Sequence, residues 1–235
     1  MIKILNSKMR GHANHGWLDT HHSFSFADYY NPEYMGFHQI RVINEDRIQP
    51  KQGFPSHSHR DMEIISFPIT GSLKHEDNTG NGSTITSGEI QRMSAGTGIT
   101  HSEYNASDSE PVHFYQIWIY PKHKNIEPDY EQKSYQHRLV PGELCLVASA
   151  DGRDDSVVIH QDVDLYTARM DTKQKLHFEI KERHNVWLQL ISGSATIDGK
   201  SVRESDGVEV SNEQELSIFS DYKAAFLLFD LGPTE

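Results

Sequence analysis

Apolar residues along this chain come in short runs broken by turn residues, and no segment keeps a 3.6-residue period over three helical turns. IRVI (40–43), MEIISFPI (62–69), STITSGEIQRM (83–93) and HFYQIWIY (113–120) lie in the first half. VWLQLI (186–191), SATI (194–197), LSIF (216–219) and AFLLFDL (225–231) lie in the second. Runs of this length, rich in β-branched and aromatic residues, mark strands. Between them DNTGNG, SAGTG and IDGK supply the Gly, Asn and Asp that tight turns with positive φ require. The pattern predicts an all-β chain with at most one or two short helices.

A weak internal repeat suggests how these strands are grouped. Gly71-Ser72, Gly88-Glu89-Ile90 and YQIWI (115–119) match in order Gly193-Ser194, Asp206–Val210 and FLLFDL (226–231). Two β-barrels of similar design are therefore expected, over residues 1–130 and 131–235. The join falls within the polar PKHKNIEPDYEQKSYQ (121–136), and the last strand is free to close back on the first barrel.

Composition narrows the function. With 22 Lys and Arg against 34 Asp and Glu, the 235-residue chain carries a net charge of -12. That charge repels phosphate backbones, and no basic cluster offsets it, so direct nucleic-acid binding is excluded as the main task. Cys145 is the only cysteine, so no intramolecular disulfide forms, and it is expected to be a small core residue rather than a nucleophile. Neither an apolar leader nor a run of about eighteen apolar residues occurs, so no membrane span is expected and the location expected is cytoplasmic.

Eleven of the fifteen histidines fall within residues 1–130, which places the chemistry there. Two stretches stand out, HSHRDMEII (57–65) and HSEYN (101–105). In a strand, residues i and i+2 share a face, so His57 pairs with His59 and His101 with Glu103. Three imidazoles and a carboxylate suit a divalent first-row metal and leave positions for water or substrate, whereas calcium would demand oxygen ligands. A lone His-x-His in a histidine-rich chain is usually a surface pair; two such pairs inside apolar strands are harder to dismiss. Glu63, four residues beyond His59, is a competing carboxylate that spacing alone leaves open.

Other polar residues receive plainer readings. HANHG and THH, with His12, His15, His21 and His22, are expected to serve turns and packing. His75 is read as hydrogen-bonded structure, and Asp61 as an acceptor that orients a ligand histidine. His113 shares parity with Tyr115, Ile117 and Ile119, which leaves its facing open.

The motif G-x3-HSH-x3-E, from Gly53 to Glu63, resembles the first motif of the cupin superfamily. The second is resembled by G-x5-S-x-G-x4-H-x3-N, from Gly88 through Ser94, Gly96 and His101 to Asn105. Gly53 lies closer to the histidines than usual, Ser94 stands for a proline, and two extra residues precede His101. Those departures, with RGHANHGWLDTHHSFSFADYYNPEYMGFHQIRVINEDRI near the N-terminus, resemble one branch, the pirins, over the whole chain.

This resemblance implies a bicupin of two jelly-roll β-barrel domains, with a metal in the N-terminal domain (1–130) and a C-terminal cupin-like domain (131–235) without a metal site. It implies the ligands His57, His59, His101 and Glu103, with Glu63 left to an outer or structural role. Fe(II) is the metal it favours, while Cu, Ni, Mn, Co and Zn remain chemically allowed. The implied activity is that of a quercetin 2,3-dioxygenase, an oxidoreductase. A flavonol would bind through its 3-hydroxyl, Glu103 would take the proton, and O2 would open the heterocycle with release of CO. Some pirins are instead transcription coregulators, so the alternative is a metal-dependent, redox-sensing regulator that binds a protein partner. A sugar or metabolite isomerase, as in other cupins, is the third reading.

Overall fold

A computed structural model describes residues 1–234, and among them strands dominate, with three short 3-10 turns as the only helices. No helix is long and apolar enough to cross a membrane. The chain divides into two units. The N-terminal unit comprises Gly11–Gln136 and Val157–Gln161; the C-terminal unit comprises Met1–Arg10, His137–Ser156 and the chain from Asp162.

The first strand, β1 (Ile2–Leu5), belongs to the C-terminal unit. The N-terminal unit then holds β2 (Gly11–Asn14), β3 (Leu18–His22), β4 (Ile40–Ile48), β5 (Gly53–His59), β6 (Glu63–Thr70) and β7 (Ser72–Asp77). It continues with β8 (Gly82–Thr86), β9 (Glu89–Ser94), β10 (Ile99–Asn105), β11 (Val112–Ile119) and β12 (Asp129–Ser134). After β13 (Cys145–Ser149) of the C-terminal unit comes the short β14 (Val157–Val158) of the N-terminal one. The C-terminal unit is completed by β15 (Val163–Met170), β16 (Gln174–Glu179), β17 (Asn185–Ile197), β18 (Lys200–Arg203), β19 (Gly207–Val210), β20 (Glu215–Ser220) and β21 (Ala224–Leu231).

Neither unit closes into a barrel; both are jelly-roll sandwiches whose sheets keep their edges. In the N-terminal unit a four-stranded sheet, β5-β10-β7-β8, accompanies a seven-stranded one, β12-β9-β6-β11-β4-β3-β2. The C-terminal unit has the order β1-β19-β17-β21-β15-β13, with β18, β20 and β16 extending from β17.

Three further features differ from the sequence expectation, beyond the open sheets. VWLQLI and SATI are one strand, β17, which pairs with β19 and β21 in its first part and with β18 and β20 in its last. A register shift between Leu190 and Ser192, followed by Gly193 at φ +77°, lets it bend without breaking. The expected linker contains β12, whose six residues pair with β9. Such a strand needs no apolar run because it lies at a sheet edge, where charge is favoured. The last strand does not close back on the first unit: β21 lies between β15 and β17, and β1 pairs with β19 from Ile2↔Val210 to Leu5↔Gly207.

The C-terminal interior is one apolar cluster containing Val186, Leu188, Leu190, Phe226 and Leu228. The N-terminal interior includes two smaller clusters, one around Leu18, Ile48, Leu73, Val112 and Phe114, the other around Ile64, Met93, Ala95 and Ile99. Polar residues are buried there as well, among them His75, His101, Glu103, Gln116 and Asn44. A core that retains so many polar groups is organised around a site.

Gly53 shows how tightly the strands around that site are packed. It opens β5 opposite Tyr104, and a Cβ there would meet the Glu103 carbonyl oxygen at 2.2 Å and the Tyr104 Cα at 2.5 Å. Both neighbours are backbone, so β10 would have to move. We expect Gly53→Ala to cost about 1–3 kcal/mol in denaturant unfolding. Gly82→Ala, whose Cβ would have no heavy atom nearer than 3.8 Å, should stay within about 0.5 kcal/mol.

Candidate metal centre and cavity

The four-stranded sheet places β10 between β5 and β7. Its pairing sets His101 opposite His57 on one side and Asp77 on the other, and Glu103 opposite His75. Between His101 and Glu103 the register with β5 shifts, so that Glu103 faces Phe54. That bulge takes up an extra residue on β5 beside the histidines, a common position for re-aiming side chains. Three i, i+2 pairs therefore sit side by side: His57/His59, His101/Glu103 and His75/Asp77.

The imidazoles of His57, His59 and His101 converge. Their ring centroids are 4.7 Å (57–59), 4.5 Å (57–101) and 5.0 Å (59–101) apart. One ring nitrogen from each lies within 4.8 Å of the others. His57 Nδ1 donates to the Pro55 carbonyl at 2.8 Å, which leaves Nε2 as the lone-pair nitrogen. His101 Nε2 is buried with no hydrogen-bond partner, an orphan that a metal would satisfy. Burial and the neighbouring His57 hold His59 down at about 4. Burial, reinforced by His57, His59 and His75, pushes His101 to about 2. Neutral imidazoles of this kind are the form that binds metals. The donor set fits a divalent transition ion.

Behind His101 stands His75, which is fully buried. Its Nε2 lies 3.3 Å from the Asp77 carboxylate and its Nδ1 3.3 Å from His101 Nδ1. A neutral His75 that donates to Asp77 accepts at Nδ1, which both Gln91 Nε2 and His101 Nδ1 approach at 3.3 Å; a His101 that donates there keeps its Nε2 lone pair free. Burial raises the Asp77 carboxyl, but hydrogen bonds from Thr79, Asn81 and His75 outweigh it and bring it to about 2. His75 is hydrogen-bonded, as expected, yet it also forms a second group with His101 and Glu103. KHED (74–77) carries the same i, i+2 spacing as HSH and HSE, and that spacing was the available signal.

Glu103 is almost fully buried and accepts from Ser66 Oγ at 2.9 Å and Gln116 Nε2 at 2.6 Å. Trp118 Nε1 donates to Gln116 Oε1 at 3.1 Å, which fixes the amide so that its NH2 faces the carboxylate. Burial raises the Glu103 pKa, against the pull of His75, Ser66, His57 and Gln116. A Glu103 carboxylate oxygen lies within 4.8 Å of ring nitrogens of His75 and His101, whereas the His57, His59 and His101 trio groups without it. Glu63 takes another position. It alternates with Ser66 across β6, and its Oε2 accepts from Ser94 Oγ at 2.9 Å and from His160 N at 3.1 Å.

The remaining residues fall outside this centre. Asp61 is not hydrogen-bonded to a histidine: its Oδ1 accepts from Asn125 N at 2.7 Å, a contact between two loops, and Asp61 itself has φ +49°. His113 is 3.0 Å from Glu45 Oε1 and does not line the cavity. Cys145 is buried, and burial raises its thiol. His15 lies in the turn before β3, and His12 and His21 stack on each other beside Asp19 within the entry segment.

His57, His59 and Glu103 open onto a cavity of about 750 Å³. Trp17, Phe26, Phe54 and Trp118 give it aromatic walls, while Thr20, His22, Asn44 and Asp46 supply a polar strip. Trp118 meets His59 edge-on at 4.9 Å and Phe26 at 5.3 Å. Aromatic faces and hydrogen-bonding groups thus line the same space.

Comparison with known proteins agrees with this architecture. Residues 5–119 match the Pirin family and residues 146–231 the quercetinase C-terminal cupin domain. Quercetin 2,3-dioxygenase of Escherichia coli strain K12 is 47% identical over 234 residues, covering 99% of this chain and 100% of that protein. The chain belongs to the pirin family. A pirin-like protein of Caulobacter vibrioides is 34% identical, over 94% of this chain and 95% of its own. The crystal structure of the E. coli pirin YhhW in complex with nickel(II) matches with a TM-score of 0.94 and 46% identity, covering 99% of this chain and 100% of that one.

Within this pirin, the motif's departures have structural roles. Ser94, in place of a proline, bridges Glu63 and His160, with Oγ 3.1 Å from His160 Nδ1. Gly96 has φ +46°, and a Cβ there would strike the Ile126 carbonyl at 2.2 Å. The carboxylate clamp offers a direct test. Ser66→Ala should leave Glu103 Oε1 without its hydroxyl donor in a buried place, costing about 1–3 kcal/mol in denaturant unfolding of the metal-free protein. Unchanged stability would show that the hydroxyl does not hold the carboxylate.

Proposed function

We propose that this pirin is a metal-dependent dioxygenase, of the quercetin 2,3-dioxygenase type, that cleaves a flavonol with O2 and releases CO. The observation that carries the reading is the orphaned, buried His101 Nε2 beside His57 and His59 on the wall of an aromatic-lined cavity. The proposed metal ligands are His57, His59, His101 and Glu103, all in the N-terminal domain, with Fe(II) favoured and nickel supported by the E. coli relative's complex. The cysteine content suits a reducing cytoplasm.

A bound divalent ion supplies a Lewis acid that lowers the pKa of the substrate's 3-hydroxyl. Glu103, steadied by Ser66 and Gln116, takes the proton. Trp17, Phe26, Phe54 and Trp118 hold the planar rings, and Thr20, Asn44 and Asp46 offer partners to their hydroxyls.

The test is metal content together with oxygen-dependent loss of quercetin absorbance and formation of CO. His57→Ala, His59→Ala and His101→Ala should each lose metal and activity, because each removes one ligand from a small set. Glu103→Gln should nearly abolish turnover even where some metal stays, since an amide cannot accept the proton. Glu63→Gln should keep its metal and lose no more than roughly 10–100-fold in activity. Loss of metal in Glu63→Gln with full activity in Glu103→Gln would reverse the assignment of the two carboxylates.

A further inference from the structure

β2 and β3 form a hairpin at one edge of the seven-stranded sheet, and its outer face carries a second group, of which His12 also borders the cavity. On β3, Leu18, Thr20 and His22 are buried, while Asp19 and His21 point the other way, two residues apart. Across the pair, His12 sits opposite His21 and Asn14 opposite Asp19, so His12 is diagonal to the carboxylate. His12 Nε2 is 2.8 Å from Asp19 Oδ1, and His21 Nδ1 is 3.9 Å from the same oxygen. The two imidazoles stack at 4.3 Å with 15° between their planes, each turning one nitrogen to the carboxylate.

We propose that His12, Asp19 and His21 bind a second divalent transition-metal ion, zinc being the class the donors suit best. Two imidazoles and one carboxylate, with water as the fourth ligand, make a tetrahedral set, and nitrogen donors disfavour calcium and magnesium. Ligand atoms around a tetrahedral ion with bonds of about 2.1 Å stand about 3.4 Å apart, which the 2.8 and 3.9 Å separations bracket. Side-chain exposures of 52% for His12, 37% for Asp19 and 31% for His21 let an ion enter from solvent. Small rotations about the side-chain bonds are enough to turn the stacked rings inward. The site shares no residue with His57, His59, His101 or Glu103.

Titrating the metal-free full-length protein with zinc by calorimetry tests this. His21→Phe keeps a ring stacked on His12 but removes the nitrogen; Asp19→Asn removes the charge. Wild type should bind one more equivalent than His21→Phe, and Asp19→Asn should bind that equivalent at least tenfold more weakly. A His57→Ala/His59→Ala variant, which dismantles the first centre, should retain one equivalent that disappears when His21→Phe is added. This arm keeps the result independent of the dioxygenase reading. In wild type, zinc should also shift the His12 and His21 imidazole resonances. Identical stoichiometry and affinity in wild type and His21→Phe, or unmoved resonances, would overturn the proposal and leave a surface hydrogen bond only.

Discussion

The pairing of β10 with β5 and β7 is the constraint from which the site follows. An antiparallel ladder fixes which residues stand opposite one another, and a slip of one residue would turn every side chain to the other face. Here the ladder sets His57 and Asp77 on either side of His101 and places His75 across from Glu103. The three converging imidazoles, the histidine hydrogen-bonded behind them and the adjacent carboxylate are thus brought together by backbone hydrogen bonding. Gly53 belongs to the same constraint, because only a missing Cβ lets β5 approach the Glu103 carbonyl so closely.

That arrangement carries a folding cost, which the surrounding polar groups limit. Buried imidazoles and a buried carboxylate are unfavourable unless hydrogen-bonded. Glu103 has Ser66 and Gln116, His57 has Pro55, and His75 has Asp77 and Gln91. His101 Nε2 is the conspicuous exception, left without a partner where the other imidazoles converge. A buried lone pair left open among converging imidazoles is one that a divalent ion would satisfy. The C-terminal unit, by contrast, fills its interior with an apolar cluster in the usual way.

Much of this was legible in the sequence, for reasons that differ between elements. Apolar runs such as MEIISFPI and AFLLFDL announce β6 and β21 because central strands bury both faces. β5 and β12 are harder to find, since GFPSHSH and DYEQKS have no apolar run and become strands through pairing with neighbours. His57, His59, His101 and Glu103 stand out through spacing of two, and the structure brings the three imidazoles together. His75 and Asp77 have the same spacing but were hidden by the turn that follows them. The partnership of Asp61 with Asn125 was not legible at all, because it depends on tertiary contact between two loops.

The two glutamates show how strand parity separates carboxylates that spacing alone leaves equivalent. Both are buried, and each stands a few residues from a histidine of the centre. Along β6, Ser66 reaches Glu103, so the residues that alternate with it, Glu63 among them, project from the other face. There Glu63 meets Ser94 and His160, and the buried Arg92 beside them donates to Ser94 and to the Val158 carbonyl. Its carboxylate oxygen therefore links Val157–Gln161 to β9 within the N-terminal unit. Glu103 reaches the cavity because it follows His101 by two on the same strand. A carboxylate four residues along a different strand, after a turn at Asp61, has no such guarantee. Parity on the central strand, more than proximity in sequence, sets which carboxylate faces the cavity.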